Sequence, residues 1–502
     1  MNLTTDPWIP VASRKGAYSF ASLDELFARS ADIWDLVVKP HERIALLRLL
    51  ICVTQAALDG PSDRSTWEQC RDEIPDRPRD YLRKWKASFE LFGNGPRFLQ
   101  VPNLKAAKED GEGNAATKLD LTLATGNNAT VFDNAGGSER PRTPAQLALA
   151  LLTFQCFSPG GRIGVAKWGG KDTPGGGSSN HAPCIPSSML HCFMTGATLL
   201  ETLHLNLLDR EQASDSFGPD GWGKPIWEFP VASLSAKAEI HNATMTYLGR
   251  LVPLTRAVHL SEDGAEIILG NGLDYPIYPQ FRESSATLIE RKDGLGVMSA
   301  SLERSLWRQL AAITVRRHAK KDAVSGPPAL GNLPPGKGSA IWLGALVTDK
   351  AKIEDVVEAA YDLPAGMFQD TGRQVYEAGV NFAEDWDRAV GSSVKAYAGV
   401  LKLEAPRYEK AHRSFWTAVE QHVPALVALT EMPALAADFG ATPWGKAVRA
   451  AAEEAYDFAC PRQTPRQIEA FAKGRQQLYL KNASPKKEGE AAPGKTKRTR
   501  KP

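Results

Sequence analysis

Cysteine pairs are missing from this chain. The 502 residues hold six cysteines, at positions 52, 70, 156, 184, 192 and 460, and no two form a CxxC. That spacing gives neither a disulfide framework nor a cysteine-rich zinc module, so the six are expected as reduced, mostly buried thiols with no structural metal. Also absent is any apolar run of about 18 residues, which removes a membrane-spanning helix and with it a membrane partner. The opening MNLTTDPWIP lacks the charged, apolar, small-residue order of a secretory signal, which leaves the cytoplasm as the expected location. No GxSxG elbow, HExxH helix or paired-carboxylate motif appears either, so the case for an enzyme is weak.

A strong global charge is lacking too. The formal balance is +2, but the tail from Lys481 to Pro502 carries eight Lys or Arg against two Glu, so the remaining body is slightly acidic. Contact with nucleic acid must then come from local basic patches and aimed backbone amides. The tail has no aromatic or β-branched apolar residue and is expected to stay disordered.

What the chain does have is punctuation. In PHERIALLRLLICVTQAALDGP the apolar residues recur at helical spacing between Pro40 and Gly60. In RTPAQLALALLTFQCFSPGG, Thr143 is a natural N-cap, Pro144 suits the first helical position, and Pro159 with Gly160 supplies the stop. The segment IWLGALVTDKAKIEDVV reads as a strand, a tight polar turn at Thr348 to Lys350, and a returning segment. From Gln374 to about Leu480 four helical segments follow one another with short connections, RYEKAHRSFWTAVEQHVPALVAL being the second. The expected fold class is therefore α+β: a large mixed α/β domain over residues 1–370, a C-terminal four-helix bundle over 371–480, and the basic tail, 481–502.

Between its buried helix and the next apolar run lies SPGGRIGVAKWGGKDTPGGGSSN, residues 158–180, with eight glycines and the cations Arg162, Lys167 and Lys171 against one acid. A P-loop is excluded, because Gly169-Gly170-Lys171 is followed by Asp172 and Val165 stands where the first glycine belongs. A dinucleotide fingerprint is excluded because these glycines follow a helix. His181, Cys184, His191 and Cys192 lie close in sequence but in no ligand spacing, and a structural reading is preferred. Glu384, Asp385 and Asp387 fall on a bundle helix, where such a run is a solvated face. Two readings of the glycine stretch remain open on composition: an anion-binding backbone surface for nucleic acid, and a flexible surface loop. A small-molecule or nucleotide enzyme with a glycine-rich lid, or a scaffold whose bundle merely packs on partners, would be the alternatives to a nucleic-acid role.

Four features occur in order: the opening MNLTTDPWIPV, FGNGPRFLQV at 92–101, the loop with VFDN, and a helix ending in SPGG. Together they resemble the CasA family, the large subunit of the type I-E CRISPR surveillance complex Cascade, over nearly the whole chain before the tail. The resemblance implies a recognition subunit without cofactors or catalysis. Its partners would be CRISPR RNA, target double-stranded DNA, the backbone, small and 5′-end-binding subunits, and a helicase-nuclease. It implies a guide-facing loop at Phe132 and Asn134, where an aromatic stacks on an unpaired base and an amide bonds its edge. It also implies a glycine loop against the minor groove of the protospacer-adjacent motif, or PAM, at Gly160, Gly161 and Arg162, with Gly175, Gly176 and Gly177 as a second candidate cluster. A hairpin wedge would fall on Asp349, Lys350 and Ala351, its tip cationic where well-known members carry an amide. The lysine that relatives bring to the groove has no secure counterpart; Arg256 in VPLTRAVHL lies in its neighbourhood. The minor groove displays a degenerate pattern, so several PAM sequences would be tolerated.

Overall fold

The computed structural model describes residues 1–106, 114–123, 142–161, 163–175, 182–316 and 324–480. The chain divides into two compact units, with the boundary between Phe368 and Gln369.

In the first unit the helix Pro40–Leu58 is apolar on nearly every face and is buried accordingly. A second helix, Pro144–Phe157, begins as its sequence dictates. The Thr143 hydroxyl accepts from the Gln146 amide at 3.3 Å, and the Gln146 side chain accepts from the Thr143 amide at 3.0 Å. Around these helices lie small sheets rather than one large one. The longest strands, Ser339–Asp349 and Lys352–Leu363, form an antiparallel hairpin, and the first of them also pairs with His191–Thr195. This is the strand, turn and return expected from the sequence.

Two ionic or polar clusters lock the core. Glu283, 3% exposed, receives Arg48 Nη1 at 2.8 Å on one oxygen and Arg250 Nε on the other. The remaining guanidinium donors of Arg48 go to the carbonyls of Leu251 and Arg250, and those of Arg250 to Thr244 and Pro276. Arg250 also lies over the Phe281 ring at 4.3 Å. Burial opposes ionisation of Glu283, but the fields of Arg250 and Arg48 outweigh it and hold the carboxyl below its usual range.

The second cluster is His191. Its Nε2 lies 2.9 Å from the Cys184 carbonyl, which can only accept, so Nε2 carries the proton and Nδ1 accepts from the Ser285 hydroxyl at 2.8 Å. Burial holds its pKa down to about 4 against the opposing pull of that carbonyl. A histidine kept neutral in the fold stabilises fully above its unfolded pKa near 6.5, and that stability drains as the unfolded chain takes up the proton below it. We expect acidification from pH 7 to pH 5 to remove about 2 kcal/mol through this residue. Urea midpoints that stay level across that interval would contradict the assignment. All six cysteines are free and buried, and no group able to hold a metal occurs among the described residues.

The second unit is built on helices Asp370–Leu401, Tyr408–Glu420, Pro443–Ala459 and Pro465–Leu480. Trp444 is fully buried and donates its indole N–H to the Gly379 carbonyl at 3.0 Å. Gly379 is required there, since a Cβ would lie 2.2 Å from Leu426. One expectation is corrected. The second segment does not run continuously to Leu429, because it stops at Glu420 and restarts as Val423–Leu429. Pro424 has no N–H to continue the ladder, and its ring disfavours a preceding helical turn. The acids of the first helix are half-buried rather than the solvated face expected, and they are paired: Asp385 with Arg388, and Asp387 with His412 at 2.7 Å. Among the described residues no helix is long and apolar enough to cross a membrane.

Candidate nucleic-acid interface

The helix Pro144–Phe157 ends at Ser158, and the chain then enters the glycine-rich stretch. This stretch is not one loop. Ala166–Trp168 and Lys171–Asp172 form a tight hairpin, with Trp168 fully buried. Its two-residue connection, Gly169-Gly170, has φ of +58° and +80°, the left-handed pair that a type I′ turn requires. A Cβ on Gly169 would lie 2.5 Å from Ser233, so the turn is seated on its neighbour. The Thr173 hydroxyl accepts from the Ala166 amide at 3.0 Å and closes the base of the hairpin.

Two exposed pieces remain, one on each side of that hairpin. On the N-terminal side Gly161 is exposed with φ of +143°, a conformation that side chains avoid. On the C-terminal side Gly175 is exposed, and a Cβ there would make ordinary contact with Val165 at 3.8 Å.

The tip of the long hairpin reaches the first piece. A Cβ built on Gly161 would lie 4.0 Å from the Cβ of Ala351. Asp349, Lys350 and Lys352 are exposed around it, and Lys350 takes a left-handed φ of +55°. Just before the tip, a register shift between Val347 and Thr348 bends the strand. The Ser188 hydroxyl accepts from the Thr348 amide at 2.9 Å and donates to the Thr348 carbonyl at 3.3 Å. Ser187 and Ser188 both hold positive φ, 55° and 53°, to deliver that clamp. The tip is therefore braced at its root.

Charge gathers on the same stretch. Lys105 and Lys167 sit directly opposite each other on neighbouring strands, both exposed, with Asp172 next in the row. Like charges in facing cross-strand positions repel, and an anion laid over them would relieve the repulsion. Lys105 was not singled out from sequence; only strand pairing brings it to Lys167.

Residues 2–455 match the family described as CRISPR-associated protein Cse1. The chain belongs to the Cse1 family. A relative from Thermus thermophilus, named CRISPR-associated protein CasA/Cse1, is 30% identical over 522 residues, covering 95% of this chain and 96% of that one. A crystal structure of CasA from Thermus thermophilus superposes with a TM-score of 0.75 at 23% identity, covering 96% of this chain and 99% of that chain. A chain of a CRISPR RNA-guided surveillance complex superposes at 0.73 with 19% identity, covering 95% and 99%. At those identities the superpositions establish a shared Cse1 fold.

Of the Cse1-type site residues expected from sequence, Gly160, Gly161, Asp349, Lys350 and Ala351 fall on the two neighbouring pieces just described. Gly175 lies across the glycine hairpin. Phe132, Asn134, Arg162, Gly176, Gly177 and His181 lie outside the described residues. Arg256 is a correction: it is fully buried and cannot reach a groove. Its Nε donates to the Ser158 hydroxyl at 2.9 Å, Nη2 to the Pro159 carbonyl at 2.6 Å, and Nη1 to the Asn271 amide oxygen. Burial holds its pKa down to about 10, so it is still a cation at neutral pH. Its position near the site was legible from sequence, its direction was not.

Proposed function

We propose that this chain is the large subunit of a type I-E Cascade complex, which reads the PAM of incoming double-stranded DNA through the minor groove. In this reading it helps begin duplex unwinding and R-loop formation, and the assembled complex recruits the helicase-nuclease for antiviral defence. The observation that carries it is the approach of Gly161 to Ala351. A minor groove about 6 Å wide admits bare backbone or a hairpin tip but not a helix. An exposed glycine beside a braced, cationic tip offers both, and lysines follow on the strands next to it. Sequence itself is left to base pairing with the guide, the general division of labour in RNA-guided recognition. Phe132 and Asn134 would face the CRISPR RNA, and the bundle would meet DNA and neighbouring subunits. The role is one of binding rather than catalysis, exercised in the cytoplasm.

The test is reconstitution with guide RNA and the remaining subunits, followed by binding to duplexes carrying a randomised motif. Motif dependence is expected only in the assembled complex, with weak, steeply salt-dependent binding by the isolated chain. Nucleotide hydrolysis or DNA cleavage by the isolated chain would overturn the proposal. Lys350→Gln sharpens it. A lysine is a point charge that holds phosphate and stacks poorly, so this variant is expected to weaken all duplexes alike and lower the salt slope by about one. A change in motif preference with an unaltered slope would instead make Lys350 a base reader.

A further inference from the structure

Resting on that reading, we propose that Arg256 is the positioning residue of the interface, a buried fork that orders both exposed glycine pieces from beneath. Arg256 opens the strand Arg256–Leu260 and faces Asn271, the last residue of Glu266–Asn271, in the ladder. Both are fully buried. The backbone of Arg256 is fixed by Gln155, whose side chain accepts from the Arg256 amide and donates to the Arg256 carbonyl, each at 2.9 Å. From this anchored position two arms extend. One runs through the Ser158 hydroxyl and the Pro159 carbonyl, the residues immediately before Gly160 and Gly161. The other runs through Asn271, whose amide nitrogen donates to the Pro174 carbonyl at 2.9 Å, immediately before Gly175.

The span between the arms is seated independently. Gly270, next to Asn271, has no side chain to hold the glycine hairpin away: a Cβ there would stand 2.8 Å from the Thr173 hydroxyl and 2.9 Å from Ala166. Glycine backbone left alone samples many conformations, and a partner that must order it loses affinity to that entropy. A planar guanidinium with its donors in a fixed fork serves three acceptors at once; an ammonium on a flexible stem does not hold that geometry. Arg256 thus lets an otherwise loose stretch meet DNA already ordered.

Two variants weaken one arm each, the Pro159 carbonyl remaining in the first. Ser158→Ala removes the first acceptor, while Asn271→Asp keeps an acceptor for Arg256 but loses the donor to Pro174. Arg256→Lys weakens both, and Ser158→Thr restores the hydroxyl. In the isolated full chain, backbone order parameters from amide relaxation are expected to fall at Gly160 and Gly161 in Ser158→Ala, at Gly175 in Asn271→Asp, and at both in Arg256→Lys. In the RNA-bearing complex, the affinity ratio between preferred and scrambled motifs is expected to fall about 5- to 10-fold in Ser158→Ala and Arg256→Lys, at an unchanged salt slope. Asn271→Asp should lose less than twofold, and Ser158→Thr should recover the wild-type ratio.

Unchanged order parameters in every arm variant overturn the positioning role, whatever the DNA does. Lowered order parameters with an intact selectivity ratio also overturn it, reducing Arg256 to a packing residue. A wild-type complex without motif preference sinks the PAM reading instead, and the order parameters still decide whether Arg256 orders the two pieces.

Discussion

Glu283→Gln is expected to cost about 3 to 5 kcal/mol, the usual consequence of leaving buried cations without their counter-charge. The carboxylate is the shared acceptor of Arg48 and Arg250, and all three side chains are almost wholly shielded from water. Glutamine keeps the volume and one acceptor oxygen, but puts an N–H where an arginine donor already points. Urea unfolding followed by tryptophan fluorescence measures the loss. A variant within about 1 kcal/mol of wild type would show that the cluster is dispensable. The carboxyl is held below its usual range, so its contribution is complete above the unfolded pKa of about 4.3 and disappears only as pH falls through the lower folded value. Acid loss from Glu283 therefore begins below the interval in which His191 acts. Replacing Arg48, Glu283 and Arg250 together by apolar residues of similar size is expected to cost far less than Glu283→Gln alone, because no charge is then stranded.

Gly161→Val is expected to leave the fold nearly intact and weaken motif-bearing duplex binding about 5- to 150-fold, the 1 to 3 kcal/mol of one misread base pair. Gly161 is exposed, so little packing is at stake, but its φ of +143° strains any side chain. The new Cβ would make ordinary contact with Ala351 at 4.0 Å, and the two γ carbons would spread over the surface offered to DNA. Titrating duplex into the assembled complex reads the loss, with the thermal midpoint as control. Gly175→Val is the matched comparison: a Cβ there makes ordinary contact, and a smaller effect on binding is expected. Equal losses from both, or none from Gly161→Val, would move the groove contact away from Gly160 and Gly161.

Legibility followed the range of the interactions involved. Thr143 and Pro144 marked a helix start because capping is settled within four residues, and the long hairpin was visible because its turn chemistry is local. The Gly169-Gly170 hairpin was missed, though a glycine pair between short strands is itself a turn signal; the surrounding glycines hid it. Pro424 also carried a visible break. Arg256 was different in kind. Its acceptors Ser158 and Pro159 lie about a hundred residues earlier, and no pattern within VPLTRAVHL distinguishes a buried fork from a surface cation. Gly161 and Ala351 likewise meet across nearly two hundred residues of sequence.

The six sequestered thiols have a practical consequence. Because each is free and buried, a maleimide dye should leave the native chain almost unlabelled while reacting at one new exposed cysteine. Lys350→Cys would then place a single reporter on the hairpin tip with no native cysteine removed, so duplex arrival could be watched as a change in the dye's environment.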